Sequence, residues 1–175
     1  MTNITFIHAS LTLRFGVMDI ERTFFVTTIT AQRRPIFRDA PTAKLLIDVL
    51  QHYRSLEKFL LHEFVIMPDH VHAIITPAPQ ISLERAMQFI KGGFSFRLGT
   101  RSKAAIWQES FSNHRIRDEQ DYGIHRGYIR QNPVRAGLAV RAEGYAYSSA
   151  SCGFILDEVP RGLKPLRENV CLTRR

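Results

Sequence analysis

Two short apolar runs joined by a Pro-Asp pair constrain the fold of this chain more than any other feature. They occupy residues 61–67 (LHEFVIM) and 70–76 (HVHAIIT), with Pro68 and Asp69 between them. Short runs rich in β-branched and aromatic residues are typical of strands, and a Pro-Asp pair suits a tight turn. We therefore predict an antiparallel hairpin near the middle of the chain.

Strand and helix patterns alternate before this hairpin. Residues 22–31 are β-branched and aromatic, which predicts a buried strand. Apolar residues then recur at steps of three and four, which predicts a helix at about 40–57 with Asp39 as its cap and Pro41 in its first turn. The first half of the chain therefore reads strand, helix, strand, strand.

The same alternation continues after the hairpin. Ser82 is expected to cap a second helix over residues 83–98. Gly92 and Gly93 interrupt its apolar stripe, and two glycines cost on the order of 2 kcal/mol relative to alanine. They indicate a helix break or a close backbone approach, unless the helix is simply weaker there. Residues 106–117 are expected to hold a strand and its approach.

Asp118 is expected to cap a third helix that ends before Pro133. The complete order predicts an α+β fold, a ferredoxin-like split β-α-β sandwich in which helices cover an antiparallel sheet. A chain of 175 residues suits one domain, which we place at 18–156. Residues 1–17 are interpreted as an N-terminal extension, and 157–175 as a charged, proline-containing tail that lacks regular structure through most of its length.

The charge of the chain points to nucleic acid as its partner. The formal net charge is +8, and 19 of the 24 basic residues are arginine, whose planar guanidinium suits phosphate groups. A basic protein with no such partner is the alternative. The two cysteines, Cys152 and Cys171, predict neither a disulfide framework nor a cysteine zinc site. Such cysteine usage suits a reducing cytoplasm, where we expect the protein to be. No apolar run reaches 18 residues, so we expect no membrane span.

The second strand of the hairpin opens with two histidines. Side chains alternate along a strand, so His70 and His72 share one face while Val71 faces the other, with their Cα atoms about 6.6 Å apart. Two imidazoles at this spacing can reach one metal ion. A chance pair packed in the core is the other reading.

The third helix adds a second group of polar residues. His125, Tyr128 and Asn132 fall on one helical face, and Tyr128 and Asn132 are an i,i+4 pair. Taken alone, a helical tyrosine is usually a packing residue, and an asparagine before proline commonly ends a helix. The pattern therefore needs further support before a role is given to either.

Four blocks in order supply that support, listed here as MPDHVHAIITP, SLERAMQFIKGGFSFRL, WQESFSNHRIRD and YIRQNPVRAGL. Their sequence and separation resemble the REP-associated tyrosine transposases, a branch of the single-tyrosine HUH transposases. The likeness covers the chain from about Arg22 to the LDEVPRGLKP segment. It implies an HUH endonuclease fold and an enzyme that cuts and rejoins single-stranded DNA beside palindromic hairpins.

The resemblance also implies roles for residues. His70, His72 and Asn132 would bind a divalent metal, Mg²⁺ or Mn²⁺, and Tyr128 would be the nucleophile that forms a covalent 5′-phosphotyrosine. His125 could orient the tyrosine, although packing is the other reading.

Further expectations concern DNA binding, the tail and assembly. DNA contacts are predicted for basic residues of the second and third helices and the strand between them, namely Lys91, Arg97, Arg115, Arg117, Arg130 and Arg135. The tail is expected to modulate the active site, and the protein is expected to be a monomer, with a dimer as the alternative. A hairpin-binding protein without catalysis, and an HUH replication initiator, are competing functions.

Overall fold

The computed structural model describes residues 22–99, 105–161 and 163–164. The proposed extension at 1–17, residues 100–104 and the end of the tail lie outside the described residues.

Within these described ranges, four strands form one antiparallel sheet. They are β1 (Thr23–Ile29), β2 (Phe59–Ile66), β3 (His70–Pro77) and β4 (Ser112–Ile116). Their order is β2-β3-β1-β4, so the hairpin occupies one side of the sheet and β1 lies between β3 and β4. This is the arrangement of the split β-α-β plan, and the predicted fold class is confirmed.

Three helices in the described part of the chain cover both faces of the sheet. They are α1 (Ala40–Ser55), α2 (Leu83–Leu98) and α3 (Glu119–Arg135). The helices α1 and α2 share a large apolar core with one sheet face, which includes Val26, Phe64, Ile66, Val71 and Ile75. Helix α3 covers the opposite face, where a smaller core contains Val65, Ile74, Ile116, Tyr122 and Ile129. Short 3₁₀ turns occur at Ala31–Arg33, Ile36–Arg38 and Ala142–Gly144.

All three predicted helix caps are present. The carboxylate of Asp39 accepts a hydrogen bond from the Thr42 N–H at 3.0 Å. Ser82 does the same for α2, and Asp118 accepts from the Asp121 N–H at 2.8 Å. These bonds satisfy backbone donors that a helix N-terminus leaves free, and they fix where each helix begins.

The two glycines of α2 have different surroundings. The helix runs unbroken past both of them. A Cβ added at Gly93 would lie 2.5 Å from the Tyr53 ring of α1, whereas one at Gly92 would meet nothing within 4 Å. Gly93 therefore permits α1 and α2 to pack closely. Of the three interpretations offered for these glycines, a helix break, a close backbone approach or a weaker helix, the close approach applies at Gly93.

The predicted end of the third helix was wrong. Helix α3 continues through Pro133 to Arg135, and the Ala136 N–H donates to the Asn132 carbonyl at 3.0 Å. Proline removes only its own N–H from the helical ladder, and the ring of Pro133 is buried. Asn132 is consequently a residue of the helix body and not its terminus.

The described part of the tail is held against the domain. Asp157 pairs with Arg54 of α1 at 2.6 and 2.9 Å and accepts from the Leu61 N–H of β2. Further along, Lys164 forms a parallel bridge with Asp118 at the start of α3. The tail therefore touches both the edge strand β2 and the beginning of α3 without forming a helix of its own in the described residues.

Among the described residues, no helix combines the length and the apolar character that crossing a membrane requires.

Candidate active site

The two histidines of β3 face helix α3. In the sheet register His72 lies opposite Thr27 of β1 and Val65 of β2, while His70 lies opposite Ile29. Their ring centroids are 4.8 Å apart with the planes at 76°. The strand alternation predicted from the sequence therefore brings the two imidazoles side by side on one face.

Each histidine has one ring nitrogen engaged by the protein. His70 Nδ1 lies 2.5 Å from Asp69 Oδ1, and His72 Nδ1 lies 2.7 Å from Thr27 Oγ1. Among the described residues, His72 Nε2 is buried without a hydrogen-bond partner. When the protons are on the two Nδ1 atoms, both Nε2 atoms present lone pairs, as in histidine metal ligands whose other nitrogen is held by a carboxylate or a hydroxyl.

The surroundings of these residues favour a neutral His72 and an ionised Asp69. Burial, followed by the charge of His70, lowers the pKa of His72 to about 3. Burial alone would raise the pKa of Asp69, but hydrogen bonds and charge from His70 and Arg33 outweigh it and lower that pKa. A neutral imidazole and an orphaned buried nitrogen fit a metal ligand, so the residues present are compatible with a divalent ion.

Tyr128 of α3 lies next to this pair. The edge of its ring packs on His72 with a centroid distance of 5.1 Å, and on Phe25 of β1 at 5.9 Å. Tyr128 is 38% exposed, so part of the residue is accessible from solvent. Residues about sixty positions apart in the sequence are therefore brought into contact by the packing of α3 on the sheet.

Asn132 and His125 flank Tyr128 on the same helix. Asn132 is half-buried one turn after the tyrosine, and its carboxamide has no hydrogen bond to another described residue. His125 packs on Phe25 at 4.7 Å, and its Nδ1 lies 2.9 Å from the Asp121 carbonyl. Both remain candidates for the roles predicted for them.

The six predicted DNA-binding residues do not form one cluster. Lys91 and Arg97 belong to α2, which covers the sheet face opposite α3. Arg115 of β4 pairs with Phe24 of β1, and Phe24 packs against the core that α1 and α2 share with the sheet. Arg115 therefore points to the sheet face that α2 covers. Four of the six are exposed and have no ion pair with a described residue, namely Arg97, Arg115, Arg117 and Arg135. These four remain available to contact phosphate groups.

The other two basic residues already have protein partners. The Lys91 ammonium donates to the carbonyls of Gln108 and Glu109 at 2.7 and 3.1 Å, and burial lowers its pKa. Arg130 lies 3.3 Å from Glu63, a fully buried carboxylate of β2. In the structure, both side chains support the fold, and DNA contact stays a prediction for them.

Three residues that sequence reasoning missed complete this site. They are Thr27, Phe25 and Asp69, which contact His72, Tyr128 and His70 respectively. Asp69 could have been found, because it directly precedes His70 in the turn. Thr27 and Phe25 carried no signal, because their position depends on how β1 pairs with β3.

The family of the chain follows from comparison with known proteins. The family described as "Transposase IS200 like" matches residues 23–132, which include the histidine pair, Tyr128 and Asn132. A REP-associated tyrosine transposase of Escherichia coli strain K12 is 31% identical over 109 residues, which are 62% of this chain and 61% of that protein. The match thus spans about three fifths of this relative.

A solved structure agrees with this relationship. The structure of a REP-associated tyrosine transposase bound to a REP hairpin superposes with a TM-score of 0.65 at 25% identity. The match covers 79% of this chain and 82% of the other. The contact between the tyrosine helix and the histidine strand thus occurs in a chain that belongs to the IS200-like transposase family.

Proposed function

We propose that this protein cleaves and rejoins single-stranded DNA beside palindromic hairpins, with Tyr128 as the covalent nucleophile. The observation that carries the proposal is the contact between the rings of Tyr128 and His72, whose centroids lie 5.1 Å apart, in a chain of the IS200-like transposase family. The relative solved with a REP hairpin supports hairpin DNA as the partner.

The proposed reaction is a transesterification. The Tyr128 hydroxyl loses its proton and attacks the scissile phosphorus, and the bond from phosphorus to the 3′ oxygen breaks. The departing 3′ oxygen takes up a proton, and the 5′ phosphate remains on the tyrosine as a phosphodiester. Attack by a 3′-hydroxyl on this phosphotyrosine reverses the step and joins the strands.

His70, His72 and Asn132 would hold a divalent ion, Mg²⁺ or Mn²⁺. When bound, such an ion supplies charge that stabilises the non-bridging phosphate oxygens in the transition state. Asp69 and Thr27 hold the two imidazoles with their Nε2 atoms free, and Phe25 supports both His72 and the tyrosine ring. The four exposed arginines that form no ion pair with a described residue would contribute salt-dependent contacts to the DNA backbone.

A covalent-adduct assay tests the proposal. Labelled single-stranded DNA containing a short genomic inverted repeat is incubated with the protein and Mg²⁺ or Mn²⁺, then run on a denaturing gel. The wild type should give a band of protein joined to DNA, and Tyr128→Phe should lose it while still binding the hairpin. Tyr147→Phe is the matched control, because Tyr147 packs against the core on the other side of the sheet.

The outcome separates the competing functions. An adduct that persists in Tyr128→Phe would overturn the assignment of the nucleophile. Hairpin binding by the wild type with no adduct under either metal would favour a DNA-binding protein that has lost cleavage.

A further inference from the structure

A second cluster of metal-binding side chains lies where β4 meets α3. His114 Nε2 is 2.9 and 3.0 Å from the two carboxylate oxygens of Asp121, and His125 Nδ1 is 3.0 Å from Asp121 Oδ1. The two imidazole planes are 18° apart, with centroids at 4.7 Å. None of these three residues belongs to the set proposed above to hold Mg²⁺ or Mn²⁺.

The fold fixes all three side chains on one side of the sheet. Asp121 and His125 are an i,i+4 pair on the first two turns of α3, a spacing that places two ligands on one helical face. His114 pairs with Phe25 in the sheet register, so it points to the face that α3 covers. The Arg117 N–H also lies 3.3 Å from the Asp121 carboxylate and helps to orient it.

We propose that His114, Asp121 and His125 form a second metal site, suited to a divalent transition-metal ion such as Zn²⁺. The candidate ligand atoms, one per residue, all lie within 4.8 Å of one another. Tetrahedral bonds of about 2.0 to 2.1 Å require ligand atoms about 3.3 to 3.5 Å apart, so modest side-chain rotation suffices.

The chemistry of the donors selects the class of ion. Two imidazoles and a carboxylate are ligands that Zn²⁺ accepts in a tetrahedral site, and imidazole is a ligand that suits transition-metal ions in general. His114 is half-exposed, while Asp121 and His125 are each about one-fifth exposed, which leaves an entry path and a position for water. Metal binding requires the protons to move to His114 Nδ1 and His125 Nε2.

The site would act on the helix that carries the nucleophile. Bound Zn²⁺ joins β4 to the first two turns of α3, and Tyr128 follows His125 by three residues. The ion would therefore hold α3 against the sheet. This link is separate from the hydrogen bond that Arg126 of α3 donates to the buried carboxylate of Glu63 in β2.

The test uses the full chain in a background that cannot bind metal at the β3 pair. In the His70→Ala/His72→Ala protein, equilibrium dialysis with Zn²⁺ should find about one ion per chain. At about 100-fold excess over the dissociation constant, the melting temperature should rise by about 5 to 10 °C. Adding His114→Ala or Asp121→Asn should abolish both effects, whereas adding His52→Ala, a change at an exposed histidine of α1, should abolish neither.

Histidine resonances supply an independent readout. Zn²⁺ should shift the ring ¹⁵N signals of His114 Nε2 and His125 Nδ1 in that background. Absence of Zn²⁺ from the double variant, or binding that survives both His114→Ala and Asp121→Asn, would overturn the proposal. Because the background lacks His70 and His72, this result is independent of whether the wild type forms a DNA adduct.

Discussion

The buried imidazole of His72 should make the stability of this protein fall on acidification. Its pKa is about 3 in the folded protein and about 6.5 when exposed in an unfolded chain. Between these values the unfolded chain binds a proton that the folded protein excludes, so the free energy of unfolding decreases as the pH falls below 6.5. The full contribution is present above that pH.

The magnitude follows from the size of the shift. Each pH unit below 6.5 costs about 1.4 kcal/mol for one excluded proton, so acidification from pH 7.5 to 5.0 should cost about 2 kcal/mol through His72. His72 is only 5% exposed, so solvent screening reduces this value little. Burial also lowers the pKa of His62, which adds a loss of the same sign.

The assay compares each protein with itself at two pH values. Urea unfolding is followed by the fluorescence of Trp107, the single tryptophan, which is buried in the larger core. A chelator is included because a bound ion would also favour neutral His72. In His72→Asn the loss between pH 7.5 and 5.0 should be about 2 kcal/mol smaller than in the wild type, and His52→Asn serves as the control for losing one histidine.

Equal pH dependence in the wild type and His72→Asn would refute this reasoning. It would mean that water or a rearranged neighbour reaches His72 Nε2 in the folded protein, and that the orphaned nitrogen does not reflect a desolvated site.

Three further predictions concern packing, capping and a buried charge. In thermal unfolding, Gly93→Ala should destabilise the protein by about 1 to 3 kcal/mol, because its Cβ would collide with Tyr53. In the same assay Gly92→Ala should be neutral or stabilising by up to about 1 kcal/mol. Asp39→Ala should lower the urea midpoint of unfolding through loss of the α1 cap, and an unchanged midpoint would contradict the cap. Glu63→Gln should lower the free energy of unfolding by about 1 to 3 kcal/mol and speed hydrogen exchange in α3, because it removes the charge that two arginines of that helix share. Unchanged hydrogen exchange would contradict this role of Glu63.

The candidate site could be predicted in parts but not assembled from the sequence. The spacing of His70 and His72 determined that they share a face, and the spacing of Tyr128 and Asn132 determined that they project together. The family resemblance joined the two halves. The contacts of Phe25 with Tyr128 and of Thr27 with His72 could not be foreseen, because the pairing of β1 with β3 joins distant parts of the sequence and leaves no local pattern.

The sequence by itself determined the order of the elements, the hairpin and the three helix caps, because each depends on residues within a few positions of one another. Tertiary structure alone decided which sheet face α3 covers. Strand β3 is buried on both faces between its ends, so its burial does not indicate which helix meets which side. Packing also carried α3 through Pro133, where burial of the ring accompanies the loss of one backbone donor. Local periodicity specifies the elements, and the long-range burial of their apolar faces brings Tyr128 to His72.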